Sequence, residues 1–227
     1  MFWREDKPAD DLYRVPDDVI DLVFKIRGRR LDIDHAHALA EALQRHLNED
    51  TCARIGVHGI WLAGSGNGWN RPEQIDAELP LSRRARLIIR VRRNDSEAVM
   101  QITDQTLQLG SQAVEIGTSS IRKLSSMSTM YARAIRCDRA QSEDDFLQEV
   151  AARLEAMGIH VSKMICGRSG AIRAADEIFF TRALLVADLK PEESVRLQQR
   201  GVGEGRLLGC GLFVPHRGIA AVHQVQD

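Results

Sequence analysis

Aromatic residues make up only 5% of this 227-residue chain. That scarcity argues against a sheet that reads single-stranded nucleic acid by stacking bases on paired aromatics. Cys52, Cys137, Cys166 and Cys210 are widely scattered, with no C-x-x-C pair and no histidine at zinc-finger spacing. Reduced thiols are therefore expected, with neither a disulfide framework nor a structural metal. No apolar run approaches the ~20 residues of a membrane span, and the acidic amino terminus is unlike a signal peptide. The expected location is the cytoplasm, with no membrane partner. A Walker loop needs Gly-Lys-Ser/Thr, which is absent, and no cofactor is expected.

What is present is the composition of a globular protein, 44% hydrophobic and 28% charged. The net charge of −1 hides a strong segregation. Seven acids crowd residues 1–21, whereas the stretch 81–93 carries Arg83, Arg84, Arg86, Arg90, Arg92 and Arg93 and no acid. Lys25, Arg27, Arg29 and Arg30 form a second basic cluster, and Lys163, Arg168, Arg173 and Arg182 a third. Arginine makes planar, bidentate contacts with phosphate, so three such clusters point toward a polyanion. A solvated strand face is the competing reading for any one of them.

Periodicity organises the chain into two similar halves. Residues 21–30 and 54–62 read as strands around a helix over 31–47, with Asp32 or Asp34 as its N-cap. A strand over 86–92, a helix over 95–106 and a strand over 113–124 complete a βαββαβ order. After the polar break 125–129 the order repeats. It runs through a strand over 131–137, a helix capped by Ser142, a hairpin of 161–166 with 179–187, a helix beginning at Pro191 and a closing strand over 207–214. The fold class is α+β, two tandem ferredoxin-like (RRM-like) domains, residues 1–124 and 125–227.

The segment 197–216 carries a further signal. Gly201, Gly203 and Gly205 alternate, Arg206 follows, and Gly209 and Gly211 open a short apolar run closed by Pro215. Arg206 stands where the dinucleotide fingerprint needs its third glycine, and the loop follows a helix and leads into a strand, the reverse of that motif. Such a loop can lay backbone N–H groups against phosphate, or it can be a C-cap followed by a bulge.

Helix, glycine-rich loop with arginine, Gly-x-Gly strand and doubled βαββαβ order together resemble the CRISPR-associated endoribonucleases that process the repeat transcript, the sixth Cas family of the RAMP superfamily. The phrases at 15–24, 65–69 and 186–197 resemble its Myxan-type branch. Composition and spacing alone support only a tandem ferredoxin-like RNA binder. The resemblance implies CRISPR repeat RNA, precursor and mature guide, as partner, and it admits other Cas effector subunits. It also implies metal-independent cleavage, in which a base takes the proton of the 2′-hydroxyl, that oxygen attacks phosphorus, and a 2′,3′-cyclic phosphate and a 5′-hydroxyl result. The alternative is a silent RAMP-type subunit that only holds guide RNA.

Histidine suits the acid/base role. The resemblance places the catalytic histidine on or near the first helix, where His35 is the first choice, followed by His37 and by His58 in the second strand, with His46 fourth. Expected RNA contacts are Arg83, Arg84, Arg86, Arg168, Arg173, Arg182 and the loop residues Gly201, Gly203, Gly205 and Arg206. Asn67, in the polar loop Ser65–Trp69, is expected to read or orient a nucleotide.

Overall fold

The computed structural model describes residues 13–62, 77–175 and 177–217. The first half is built on β1 (Val19–Arg27), in which Ile20, Leu22, Phe24 and Ile26 are buried while Lys25 and Arg27 are exposed. The period of two that makes this stretch a strand also gives it one core face. A short strand β2 (Arg30–Asp32) follows, then α1 (Ala36–His46), α2 (Glu49–Arg54) and β3 (Gly56–His58). The chain continues through β4 (Glu78–Pro80), β5 (Arg86–Arg92), α3 (Ser96–Met100), β6 (Thr106–Leu109) and β7 (Gln112–Lys123).

The first sheet has the order β3-β5-β1-β7-β6. Its strands β1, β3, β5 and β7 stand in the 4-1-3-2 arrangement of a ferredoxin-like unit, and β6 is added at the edge. Leu39 and Leu43 of α1 and Val99 of α3 join the β1 and β5 side chains in one core.

The second half comprises β8 (Met130–Arg136), α4 (Glu143–Ala156), β9 (Lys163–Arg173), β10 (Ile178–Ala187), α5 (Pro191–Arg200) and β11 (Phe213–Pro215). Its sheet order β11-β8-β10-β9 is again 4-1-3-2. Phe146, Val150 and Leu154 of α4 pack with Leu184, Val186 and Phe213 in a second core. Tandem ferredoxin-like units are thus the architecture. Ser142 caps α4 by accepting from Asp145 N at 3.1 Å, and α5 starts at Pro191 as its sequence signals require.

Several elements depart from expectation for identifiable reasons. The second strand spans only Gly56–His58, and ahead of it Asn48 caps α2, its carboxamide oxygen accepting from Thr51 N at 2.7 Å, so that the strand starts after Arg54. The helix expected over 95–106 stops at Met100, and Asp104 adopts a left-handed φ of 61° that turns the chain into the β6–β7 hairpin. The N-cap of α1 is His35, with no side-chain cap. The closing strand shrinks to Phe213–Pro215 because Gly209 and Gly211 have φ of 87° and 68°, incompatible with extended chain.

One buried ion pair fastens the halves together. Arg90 on β5 is 1% exposed, and its Nε and Nη2 donate to the carboxylate of Asp21 on β1 at 2.8 and 3.2 Å. Its Nη1 crosses to the second half and donates to the carbonyls of Gln198 at 3.0 Å and Phe213 at 2.8 Å. The intervening linker is held to α5, where Gln198 bonds both the N–H and the C=O of Ser125 and Ser194 Oγ donates to Met127 O at 2.7 Å.

Breaking a buried pair on one side leaves an uncompensated charge and costs ~3–5 kcal/mol. Arg90→Ala should lose about that much stability in urea denaturation. A loss below ~1 kcal/mol, the value of a surface pair, would show that the bridge does not hold the halves together.

Candidate functional site

Where the two halves meet, a cavity of about 450 Å³ opens between β3, β5, β8 and β11. The first half contributes His58, Trp61, Arg84 and Arg86, and the second contributes Arg133 and Leu212. No Asp or Glu among the described residues lines it. A second pocket of about 570 Å³ adjoins it, shares Ser82 and Arg86, and adds Lys25, Arg27 and Arg83, again with no acid among the described residues. The two spaces form a track lined by six cationic side chains, a strong local positive field on a chain of nearly neutral net charge.

His58 occupies the junction. Its side chain is 12% exposed, and Nε2 lies 3.9 Å from Asp21 Oδ1, too far for a hydrogen bond. Nε2 has no hydrogen-bond partner among the described residues. Burial first, then the charge of Arg90, push its pKa down; Asp21 opposes them, Arg122 and Arg133 reinforce them, and the value falls to about 3. His58 is therefore neutral at physiological pH, and its approach to Asp21 is not an ion pair. Burial tends to raise the Asp21 pKa, but Arg90 and Arg122 outweigh it and keep the carboxylate ionised.

The other expected residues are placed differently. His35 is buried, with Nδ1 2.8 Å from Asp32 O and Nε2 3.0 Å from Ile60 N. The Ile60 N–H requires an acceptor, so the ring proton sits on Nδ1 and is donated to Asp32. Both ring nitrogens are thus committed to holding the chain after β3 against the start of α1. His37 is partly exposed, 3.6 Å from Glu41, in a separate groove of about 280 Å³ with Asp32, Asp34 and Arg173. Arg173 meets α1 there, its backbone N–H donating to Asp34 Oδ2 at 3.3 Å.

Arg83 and Arg84 are exposed, and Arg86 donates to the carbonyls of Arg83 and Ala85. Arg168 is exposed on β9, whereas Arg182 turns to the α4 side, donating to Gln141 O and lying over the Phe146 ring. Asn67, with its loop, lies outside the described residues.

The glycine-rich loop folds on itself. A Cβ at Gly201 would fall 2.5 Å from Gly211 O, and one at Gly211 would fall 2.1 Å from Val202 O, so both glycines permit backbone contact within the loop. Gly203 is exposed, and Gly205 sets a left-handed turn before the short 3-10 segment 206–208. Arg206 turns inward and donates to Arg200 O, capping the end of α5, and burial and the Arg90 charge lower its pKa. Arg133 and Trp61 escaped the sequence reading, since one lay within a strand pattern and the other at the end of an expected strand.

A family model described as "Cas6 Crispr" matches residues 20–218. The chain belongs to the Cas6 family. A protein of Myxococcus xanthus (strain DK1622) named "CRISPR-associated endonuclease Cas6" is 27% identical over 197 residues, covering 86% of this chain and 81% of that one. A solved structure titled "CRISPR associated protein Cas6" superposes with a TM-score of 0.60 at 10% identity, covering 88% of this chain and 100% of that chain. Another, titled "Characterization of a Cas6-related gene from Pyrococcus furiosus", gives 0.60 at 11% identity over 86% and 97%. These structures share the Cas6 fold with this chain. No helix among the described residues is long and apolar enough to cross a membrane.

The depressed His58 pKa has a consequence for stability. Below the unfolded-state value near 6.5 the unfolded chain binds a proton that folded His58 does not, so stability falls by about 1.4 kcal/mol per pH unit between roughly pH 6.5 and 3. His58→Gln should flatten that part of the denaturation profile. Parallel profiles for the two proteins would show that His58 titrates normally.

Proposed function

We propose that this Cas6-family protein is a metal-independent endoribonuclease that binds CRISPR repeat RNA and cuts the precursor transcript in the cleft between its two halves. The observation that carries this reading is the track of six cations, with no acid among the described residues that line it, running past a neutral histidine at the cavity wall. The groove around His37 suits phosphate poorly, because Asp32 and Asp34 face a single arginine there. His35 has no nitrogen to spare. The base role, expected first at His35, therefore passes to His58.

In this reading the scissile phosphate lies among Arg84, Arg86 and Arg133, which offset charge on its non-bridging oxygens. His58 takes the proton of the adjacent 2′-hydroxyl, that oxygen forms the new bond to phosphorus, and the P–O5′ bond breaks. The 5′-oxygen leaves with a proton from solvent water, His58 returns its proton to solvent, and the products carry 2′,3′-cyclic phosphate and 5′-hydroxyl ends. Arginine supplies the electrostatic stabilisation, so no step calls for a metal ion. His35 acts as an anchor that sets the path of residues 58–61. A phosphodiester beside His58 adds negative charge where three arginines lowered its pKa, and so moves that pKa back toward neutrality on binding.

A second reading, a silent guide-RNA-holding RAMP-type subunit, is favoured by one observation: a histidine with a pKa of about 3 is a weak base in the free protein. The two separate on incubation with cognate repeat RNA in excess EDTA. The nuclease reading expects cutting at one position, and tight binding without cutting establishes the silent subunit.

His58→Ala should retain RNA affinity and cut at least ~100-fold more slowly, the lower range of acid/base contributions. The acid limb of the wild-type rate should lie at higher pH with saturating than with limiting RNA, because the two report the bound and free protein. Full activity in His58→Ala would remove His58 from the chemistry.

A further inference from the structure

Trp61 is 61% exposed, the most exposed large apolar side chain among the described residues. On a chain with so few aromatics it stands three residues beyond His58 and lines the same cavity. Its position is fixed from behind, since the preceding Ile60 N–H is held by His35 Nε2 at 3.0 Å. Between His58 and Ile60, a Cβ built on Gly59 would meet nothing within 4 Å, so the backbone there is open to close approach. Across the junction Arg133 of the second half places its guanidinium carbon 4.4 Å from the Trp61 ring centroid. Arginine lies over the indole, and the side chain stays largely exposed where it lines the cavity.

We propose that the exposed indole of Trp61 is a stacking platform for one unpaired RNA base next to the scissile phosphate, backed by Arg133. This rests on the reading of the cleft as the RNA cleavage site and names how that site holds its substrate. A base π-face stacks on indole with little regard to sequence. The guanidinium behind the ring holds it by a cation–π contact and lies close enough to neutralise phosphate. Because Trp61 and Arg133 come from different halves, the stacked nucleotide is gripped at the junction where His58 acts. Trp61 thereby positions the 2′-hydroxyl against the base, and takes no part in proton transfer.

The test uses the full chain and its cognate repeat RNA, made uncleavable by a 2′-deoxy substitution upstream of the cut, together with a set of repeats carrying single abasic sites. Binding should quench tryptophan fluorescence in the wild type, and most of that quench should vanish in Trp61→Phe while affinity is largely kept. Trp61→Ala should bind roughly five- to a hundredfold more weakly, the range of one base–aromatic stack. One abasic site beside the cut should weaken the wild type by a similar factor and leave Trp61→Ala unaffected. If Trp61→Ala binds as the wild type does, or if the abasic penalties are equal in both proteins, the ring is only a surface partner of Arg133 and the stacking role is overturned. Failure of the wild type itself to bind repeat RNA would overturn the cleavage reading and this one with it.

Discussion

The Asp21–Arg90 pair is the constraint on which the arrangement depends. One guanidinium satisfies a carboxylate in the first sheet and two main-chain carbonyls, of Gln198 and Phe213, in the second half. Buried ion pairs are weak evidence for stability in themselves, and their better-attested use is to fix register. Here the register is that of one ferredoxin-like unit against the other, and the cleft beside the bridge inherits its shape. The same two charges bear on His58 with opposite sign: after burial, Arg90 lowers its pKa most, and Asp21 opposes it. Arg122, donating to Asp21 Oδ2 at 2.9 Å, lowers the His58 pKa further.

The structure divides labour between residues that resemble one another in sequence. His35 and His58 are both largely buried histidines, one at the start of α1 and the other at the end of β3. His35 spends both nitrogens on main-chain groups, whereas His58 spends none on Nε2 and borders a cavity. The glycines divide likewise. Gly201 and Gly211 allow the loop to close on itself, while Gly203 remains at the surface. Arg206, the one arginine in that loop, faces the end of α5, so the positive charge available to a polyanion comes from β1, from the approach to β5 and from β8 instead.

Much of this fold could be read from the chain alone because its signals are local. The alternation in β1, the Ser142 cap and Pro191 each identify an element from a few residues. The short α2 helix fell in the gap between the expected helix over 31–47 and the strand over 54–62, and the closing strand was overdrawn because glycines at positive φ look in sequence like any Gly-x-Gly. The basic stretch 83–86 was legible as a cluster of like charge. Which histidine faces the cleft was not, since that depends on contacts of His35 with Ile60, 25 residues away, and on arginines from three strands around His58. Trp61 and Arg133 come together only through tertiary packing, and no spacing in the sequence announces them.

A crystal structure of the protein with its repeat RNA, held uncut by a single 2′-deoxy nucleotide, tests the central claim most directly. The account predicts the scissile phosphate in the cleft between the halves, with Arg84, Arg86 and Arg133 around it and the 2′ position within hydrogen-bond reach of the His58 ring. A scissile phosphate seated beside His37 in the groove shared with Arg173, or on the helical face of either unit, would contradict it.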